Sequence, residues 1–111
     1  MPEAPRAALD IQVLRPGHEV SLAGRLDART AATARAVLQD AVDDGTGDLV
    51  VRLHDVEIWD AGGLGVLVGV HRRARQAGRR LVLTDVPPRQ VRLLRATRLS
   101  RVLTVEPLAV A

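Results

Sequence analysis

Apolar and polar residues alternate at the start of the chain, in two segments that a turn separates. Residues 9–13 show the period-two pattern of a strand with one buried face. Pro16 and Gly17 then mark a turn, and the alternation resumes over residues 20–22. The pattern predicts an antiparallel hairpin.

The pattern changes to a helical period after the hairpin. Asp27 and Thr30 are both candidate N-caps, because a short polar side chain before an apolar series can accept a hydrogen bond from the first turn. The apolar residues that follow recur every three or four positions, and they are Ala31, Ala34, Leu38, Ala41 and Val42. An amphipathic helix is therefore expected between the second and third strands.

The rest of the chain alternates between strand and helix patterns. The predicted elements are a buried strand over residues 49–53 that breaks at His54 and Asp55, a helix from Asp60 to Gly78, a strand over 80–84, a helix from Pro87 and a last strand over 102–105. This order predicts an α/β fold: a mixed sheet of four to five strands with parallel later strands, and three to four helices.

Length and composition predict one domain in the cytoplasm. The 111 residues suffice for a single domain, which we place at residues 9–111 after a flexible tail over residues 1–8. There is no Cys, so disulfides and thiolate metal sites are excluded. The longest uncharged segment, residues 61–70, is too short to span a bilayer, so no membrane insertion is expected.

Charge and aromatic content argue against nucleic-acid binding. Phe and Tyr are absent and Trp59 is the only aromatic residue, so stacking platforms for bases are missing, and we expect this Trp to pack in the core or a loop. The net charge is +3, and all 16 basic residues are Arg. The basic residues over 72–80 are interpreted as a solvated helix end; a surface for an acidic partner or a nucleic acid is the alternative.

The segment around Asp60 is the candidate site. Asp60 is expected to accept a hydrogen bond from the backbone of Gly62 or Gly63, at a helix start whose free N–H groups suit an anion or a close protein contact. Asp27 follows the preceding strand, so the two carboxylates should be neighbours at the carboxyl edge of the sheet. The three His residues lack metal-ligand spacing and the hydroxyls lack a base, so no metal, cofactor or enzymatic activity is expected.

The helix that follows Asp60 carries a row of glycines. On a helical wheel Gly62, Gly65 and Gly69 lie opposite the expected core face, which comprises Leu67, Val70, Ala74 and Ala77. A glycine in a helix costs about 1 kcal/mol relative to Ala. The row is a bare track for a partner, bordered by Leu64 and Val68, or it reflects codon bias that the helix tolerates, or a second helix packs there. The sequence leaves these readings open.

Two motifs resemble one protein family. Gly24-Arg25-Leu26-Asp27 and Ile58-Trp59-Asp60-Ala61-Gly62-Gly63-Leu64-Gly65 are similar to the Gly-Glu-Leu-Asp and Asp-Ser-Ser-Gly-Leu-Gly patterns of anti-sigma-factor antagonists, the small bacterial members of the STAS domain family. The 33-residue interval between the two aspartates fits as well. The resemblance covers residues 9–105.

The resemblance implies a partner and a switch. Family members bind an anti-sigma factor, usually a serine kinase with a histidine-kinase-like fold, and phosphorylation of the second Ser of the motif breaks that complex. Ala61 and Gly62 occupy the two Ser positions here, and neither has a hydroxyl. The resemblance therefore implies an antagonist that is not phosphorylated in the usual register.

The expected partner-binding residues follow from the glycine row and from the resemblance together. They are Asp27, Asp60, Ala61, Gly62, Gly63, Leu64, Gly65 and Val68. Two other functions stay open: a scaffold subunit in a signalling or lipid-transport assembly, and a sensor of a small ligand or nucleotide at the helix start. A homodimer is also left open.

Overall fold

A computed structural model describes residues 9–109, which form one five-stranded sheet with helices. The elements are β1 (Leu9–Arg15), β2 (Glu19–Leu26), α1 (Ala31–Asp43), β3 (Asp48–Ile58), α2 (Ala61–Gln76), β4 (Arg80–Val86), α3 (Pro88–Ala96), the 3₁₀ turn η1 (Leu99–Arg101) and β5 (Thr104–Pro107). The predicted tail, residues 1–8, lies outside the described residues.

The strands lie side by side in chain order. β1 is antiparallel to β2, and every later neighbouring pair is parallel. Each of the three helices connects two parallel neighbours, as such pairs require. The predicted mixed α/β sheet with an opening hairpin is confirmed.

One face of the sheet carries the core. All three helices contribute to a single cluster of buried aliphatic side chains with this face. The other face carries polar side chains among others, and the register places Ser21, Arg52 and Thr84 beside one another across three strands. The five apolar residues predicted to face inward from α1 are all buried.

β3 is longer than its sequence pattern indicated. It continues through His54 and Asp55 to Ile58, whereas the predicted strand ended at residue 53. Between the pairs Ser21–Arg52 and Ala23–Asp55, β2 has one residue and β3 has two, so a bulge accommodates the extra residue. β2 is also longer than predicted and ends at Leu26, which carries both strands to the same edge.

Three smaller predictions were wrong. Val13 is 52% exposed because it lies on the edge strand. Ala77 is exposed because it caps the end of α2 rather than facing the core. β5 begins at Thr104, so Val102 lies in the turn before it.

The edge of the sheet opposite the candidate site is held by one buried cation. Arg79 is 5% exposed, and its guanidinium donates to the carbonyls of Ala41, Val42 and Gly47 at 2.8–2.9 Å. It also donates to the carbonyl of Gly17 in the hairpin turn. One side chain thus joins the end of α1 to two loops.

Within residues 9–109, no helix is long and apolar enough to cross a membrane.

Candidate functional site

Asp60 joins the first turn of α2 to the loop between β2 and α1. Its Oδ1 accepts a hydrogen bond from the amide of Gly63 at 3.1 Å, as predicted for an N-cap, and its Oδ2 accepts one from the amide of Ala28 at 3.1 Å. These amides, that of Ala28 first, lower the pKa of Asp60 below its ordinary value. The ionised carboxylate therefore fixes two adjacent segments.

The loop after β2 is held by its own polar side chains. Asp27 Oδ1 accepts hydrogen bonds from the amides of Arg29 and Thr30, at 2.9 and 3.1 Å. The hydroxyl of Thr30 accepts from the Asp27 amide at 3.0 Å and donates to the carbonyl of Arg25 at 2.9 Å. Asp27 is thus half-buried and organises the loop that Asp60 contacts.

Two glycines allow the helix start to pack closely on that loop. A Cβ atom at Gly62 would lie 2.9 Å from the Cα of Ala28, which is closer than real side chains approach. A Cβ at Gly63 would overlap the carbonyl of Leu26. Gly63 is buried and faces the end of β2.

The outer side of α2 is uncovered. Ala61 and Gly65 are exposed, and Leu64 and Val68 are half-buried. Apart from the adjoining residues and backbone of α2 itself, no described atom lies within 4 Å of a Cβ built at Gly65 or Gly69, so no second helix packs there. Gly62, by contrast, belongs to the loop contact and not to the bare row. We call Ala61, Leu64, Gly65 and Val68 the docking patch.

Trp59 is exposed, and it lies close to the docking patch in the sequence. The expectation that it packs in the core or a loop is wrong. Its side chain is 56% exposed. The guanidinium of Arg25 lies 4.3 Å from the centre of the ring, and the indole Nε1 donates to Glu57 at 3.1 Å. A cation over the ring and a carboxylate at its edge hold this aromatic surface in place.

Comparisons with known proteins place the chain in a family. A family model described as Mlab, STAS domain matches residues 11–105. An anti-sigma-B factor antagonist of Staphylococcus aureus (strain NCTC 8325 / PS 47) is 34% identical over 88 residues, which cover 79% of this chain and 82% of that protein. The chain belongs to the STAS domain family.

Solved structures share the fold of this STAS domain. An anti-sigma-factor antagonist (STAS) domain protein from Planctomyces limnophilus aligns with a TM-score of 0.73 at 17% identity, covering 89% of this chain and 91% of that one. The phosphorylated form of the Bacillus cell fate determinant SpoIIAA aligns with a TM-score of 0.64 at 18% identity, covering 88% and 90%. At these identities the likeness shows the fold alone.

The structure brings together part of the predicted site of the STAS domain. Asp60 contacts the residue after Asp27, so the two motifs meet as expected. Both carboxylates are engaged by backbone amides, and the surface left open is the docking patch. The sequence analysis did not predict that Arg25 and Trp59 form a pair. The signal that could have revealed this pair was an exposed strand end opposite the loop.

Among residues 9–109, no group of three His, Cys, Asp or Glu could hold a metal ion.

Proposed function

We propose that this STAS domain is an anti-sigma-factor antagonist that binds an anti-sigma factor of the serine-kinase type through the docking patch, without a phosphorylation switch in the family's usual register. The named function of the Staphylococcus relative, at 34% identity, supports the class of protein. The open, uncharged first turns of α2 support the place of contact and are the observation on which the proposal depends.

The chemistry of the patch suits a protein partner. Leu64 and Val68 supply apolar surface, and the bare backbone at Gly65 lets a partner approach α2 closely. Trp59 and Arg25 form an aromatic and cationic anchor near the same edge, and these two residue types are enriched among the residues that dominate binding energy. Asp27 and Asp60 contribute by holding the loop and the helix start in one arrangement.

The independence from phosphorylation is proposed from the residues at the acceptor position. A phosphate would add about −1.5 to −2 charges to a surface that must lose water on binding. Ala61 and Gly62 have no side-chain hydroxyl to which a phosphate could be attached. In the loop that Asp60 contacts, the hydroxyl of Thr30 is engaged with the backbone of Asp27 and Arg25.

The proposal also assigns the protein a regulatory rather than an enzymatic role, and a location in the cytoplasm, where sigma factors act. The test is binding to purified candidate anti-sigma kinases, measured by calorimetry with ADP and with ATP, followed by intact-mass analysis. Binding to at least one kinase with unchanged mass after incubation with ATP is expected. Failure to bind any of them would overturn the function, and an added phosphate would overturn the independence.

A further inference from the structure

An apolar groove lies between the carboxyl-terminal half of α2 and the turn η1. It has a volume of about 450 Å³ and is lined by Val68, Leu99 and Val102 together with polar residues of α2. Val102 is 53% exposed. The groove is therefore apolar surface that the described part of the chain leaves in contact with water.

The wall of the groove formed by α2 is basic. His71, Arg72 and Arg75 line it, and Arg98 and Arg101 lie within two residues of the lining residue Leu99 in the sequence. No ion pair joins any of these four Arg to a carboxylate within residues 9–109. From Pro87 to Val105 the sequence contains five Arg and no acidic residue, so this segment is strongly basic.

The other basic residues near α2 are used within the fold. Arg73 pairs with Asp43 at 2.6 Å, and Arg80 pairs with Asp48 at 2.8 Å. Arg79 is buried among carbonyls. Partial burial, with the charges of Arg75 and Arg72, lowers the pKa of His71, which indicates a positive potential in the groove.

We propose that this groove binds an acidic amphipathic segment of the anti-sigma factor. The apolar side of the segment lies on Val68, Leu99 and Val102, and the carboxylates of the segment face Arg72 and Arg75. The inference rests on the proposed function, since Val68 belongs to both the docking patch and the groove and one partner can cover both. Charge of opposite sign would steer the encounter and fix the register of the segment.

The apolar lining favours a protein segment over a nucleic acid. Phosphate groups need basic side chains but gain nothing from the three aliphatic residues that line the groove. Bases need aromatic faces on which to stack, and the one aromatic residue of the chain, Trp59, is not among the residues that line the groove. An amphipathic helix with apolar residues at helical spacing matches both the lining and the charge.

The first test uses defined probes and the ¹⁵N-labelled protein. The probes are an 18-residue peptide with Leu on one helical face and Glu on the other, a scrambled peptide of the same composition, and an 18-nucleotide single-stranded DNA. We expect the amphipathic peptide to bind at least tenfold more tightly than either control and to shift the amide signals of Val68, Leu99 and Val102. Equal binding of the scrambled peptide, tighter binding of the DNA, or absence of shifts at the groove would overturn the inference.

Variants of exposed residues identify the contact. Val102→Asp and Arg75→Glu should each weaken binding of the amphipathic peptide at least tenfold, whereas Arg35→Glu, a matched charge reversal on α1, should not. If Arg35→Glu weakens binding as much, the attraction is non-specific and the inference fails.

A second experiment separates the inference from the function. With an anti-sigma factor that binds, the affinities of Gly65→Glu and Val102→Asp are compared. Loss of affinity in both variants supports both proposals. Loss in Gly65→Glu alone leaves the docking patch standing and overturns the groove. If no anti-sigma factor binds but the amphipathic peptide still does, the proposed function falls and the groove is a site for an acidic segment of another protein.

Discussion

The carboxylate of Asp60 accepts a hydrogen bond from the backbone amide of Ala28, 3.1 Å away and 32 positions earlier in the chain. The other oxygen of the same carboxylate caps α2 through Gly63. A single side chain therefore closes the carboxyl edge of the sheet by joining the two loops that carry the family motifs.

Removing this carboxylate should loosen both loops. Asp60→Ala should lower the melting temperature more than Asp60→Asn, because Asn keeps one oxygen that can accept either bond. The amide signals of Ala28 and Gly63 should move in both variants. Unchanged signals at Ala28 would contradict the bridge.

The same variant gives a pH dependence. The amides that donate to Asp60 lower its pKa in the folded protein below the ordinary value of 3.8, so the carboxylate stabilises the fold above that value. This stabilisation is lost as the pH falls through the lowered pKa. The difference in unfolding midpoint between the wild type and Asp60→Asn should therefore be constant near pH 7 and shrink on acidification below about pH 4, measured by urea unfolding.

Substitutions at two glycines of α2 should change the stability of the protein in opposite directions. Gly62→Ser forces a side chain against the Cα of Ala28 and should destabilise the protein by about 1–3 kcal/mol. Gly65→Ala meets no atom within 4 Å and should stabilise it by about 0.5–1 kcal/mol. Urea unfolding of both variants measures the contrast. A stable Gly62→Ser protein with an undisturbed Ala28 amide signal would show that the loop contact is not tight.

Arg79 should be far more important for stability than its neighbour. Arg79→Met leaves several buried carbonyls without a donor and should cost about 3 kcal/mol or more. Arg79→Lys keeps the charge with fewer donors and should lie in between. Arg80→Met, which removes an exposed ion pair with Asp48, is the control and should barely move the urea midpoint. Similar midpoints for the Arg79 and Arg80 variants would contradict the assigned role.

Partner binding should depend on the docking patch and not on net charge. Gly65→Glu places a carboxylate on the open side of α2 and should weaken binding of an anti-sigma factor more than tenfold, which corresponds to about 1.4 kcal/mol. Gln12→Glu adds the same charge to the exposed strand β1 and should leave the affinity unchanged. Gly62→Asp is a poorer test, because its side chain would also disturb Ala28. Equal affinities for the two Glu variants would exclude the patch as the contact.

Local periodicity predicted most elements of the fold. The apolar residues of α1 are buried as expected, because a helical period depends only on residues that are near in sequence. The end of β3 was not predictable in this way. Its bulge depends on the register with β2, and His54 and Asp55 look like a break until the partner strand is known.

The chemistry of the site was predicted from the sequence, but the way its segments pack against each other was not. The cap at Asp60 and its nearness to the Asp27 loop follow from motif spacing and strand direction. The closeness of Gly62 to Ala28 depends on the distance between two loops, and no local pattern encodes it. The exposure of Trp59 depends in the same way on what the rest of the chain fails to cover.

The tight fit of Gly62 against Ala28 bears on how easily a switch could return to this chain. One exchange at position 62 would bring back an alcohol for a kinase to esterify, yet the backbone opposite leaves no room for it. The loop would have to shift before the new group could be accommodated, so regaining control by phosphorylation would cost part of the stability of the fold. Under the proposed function, the close packing at position 62 thus sets a penalty on any return of the switch.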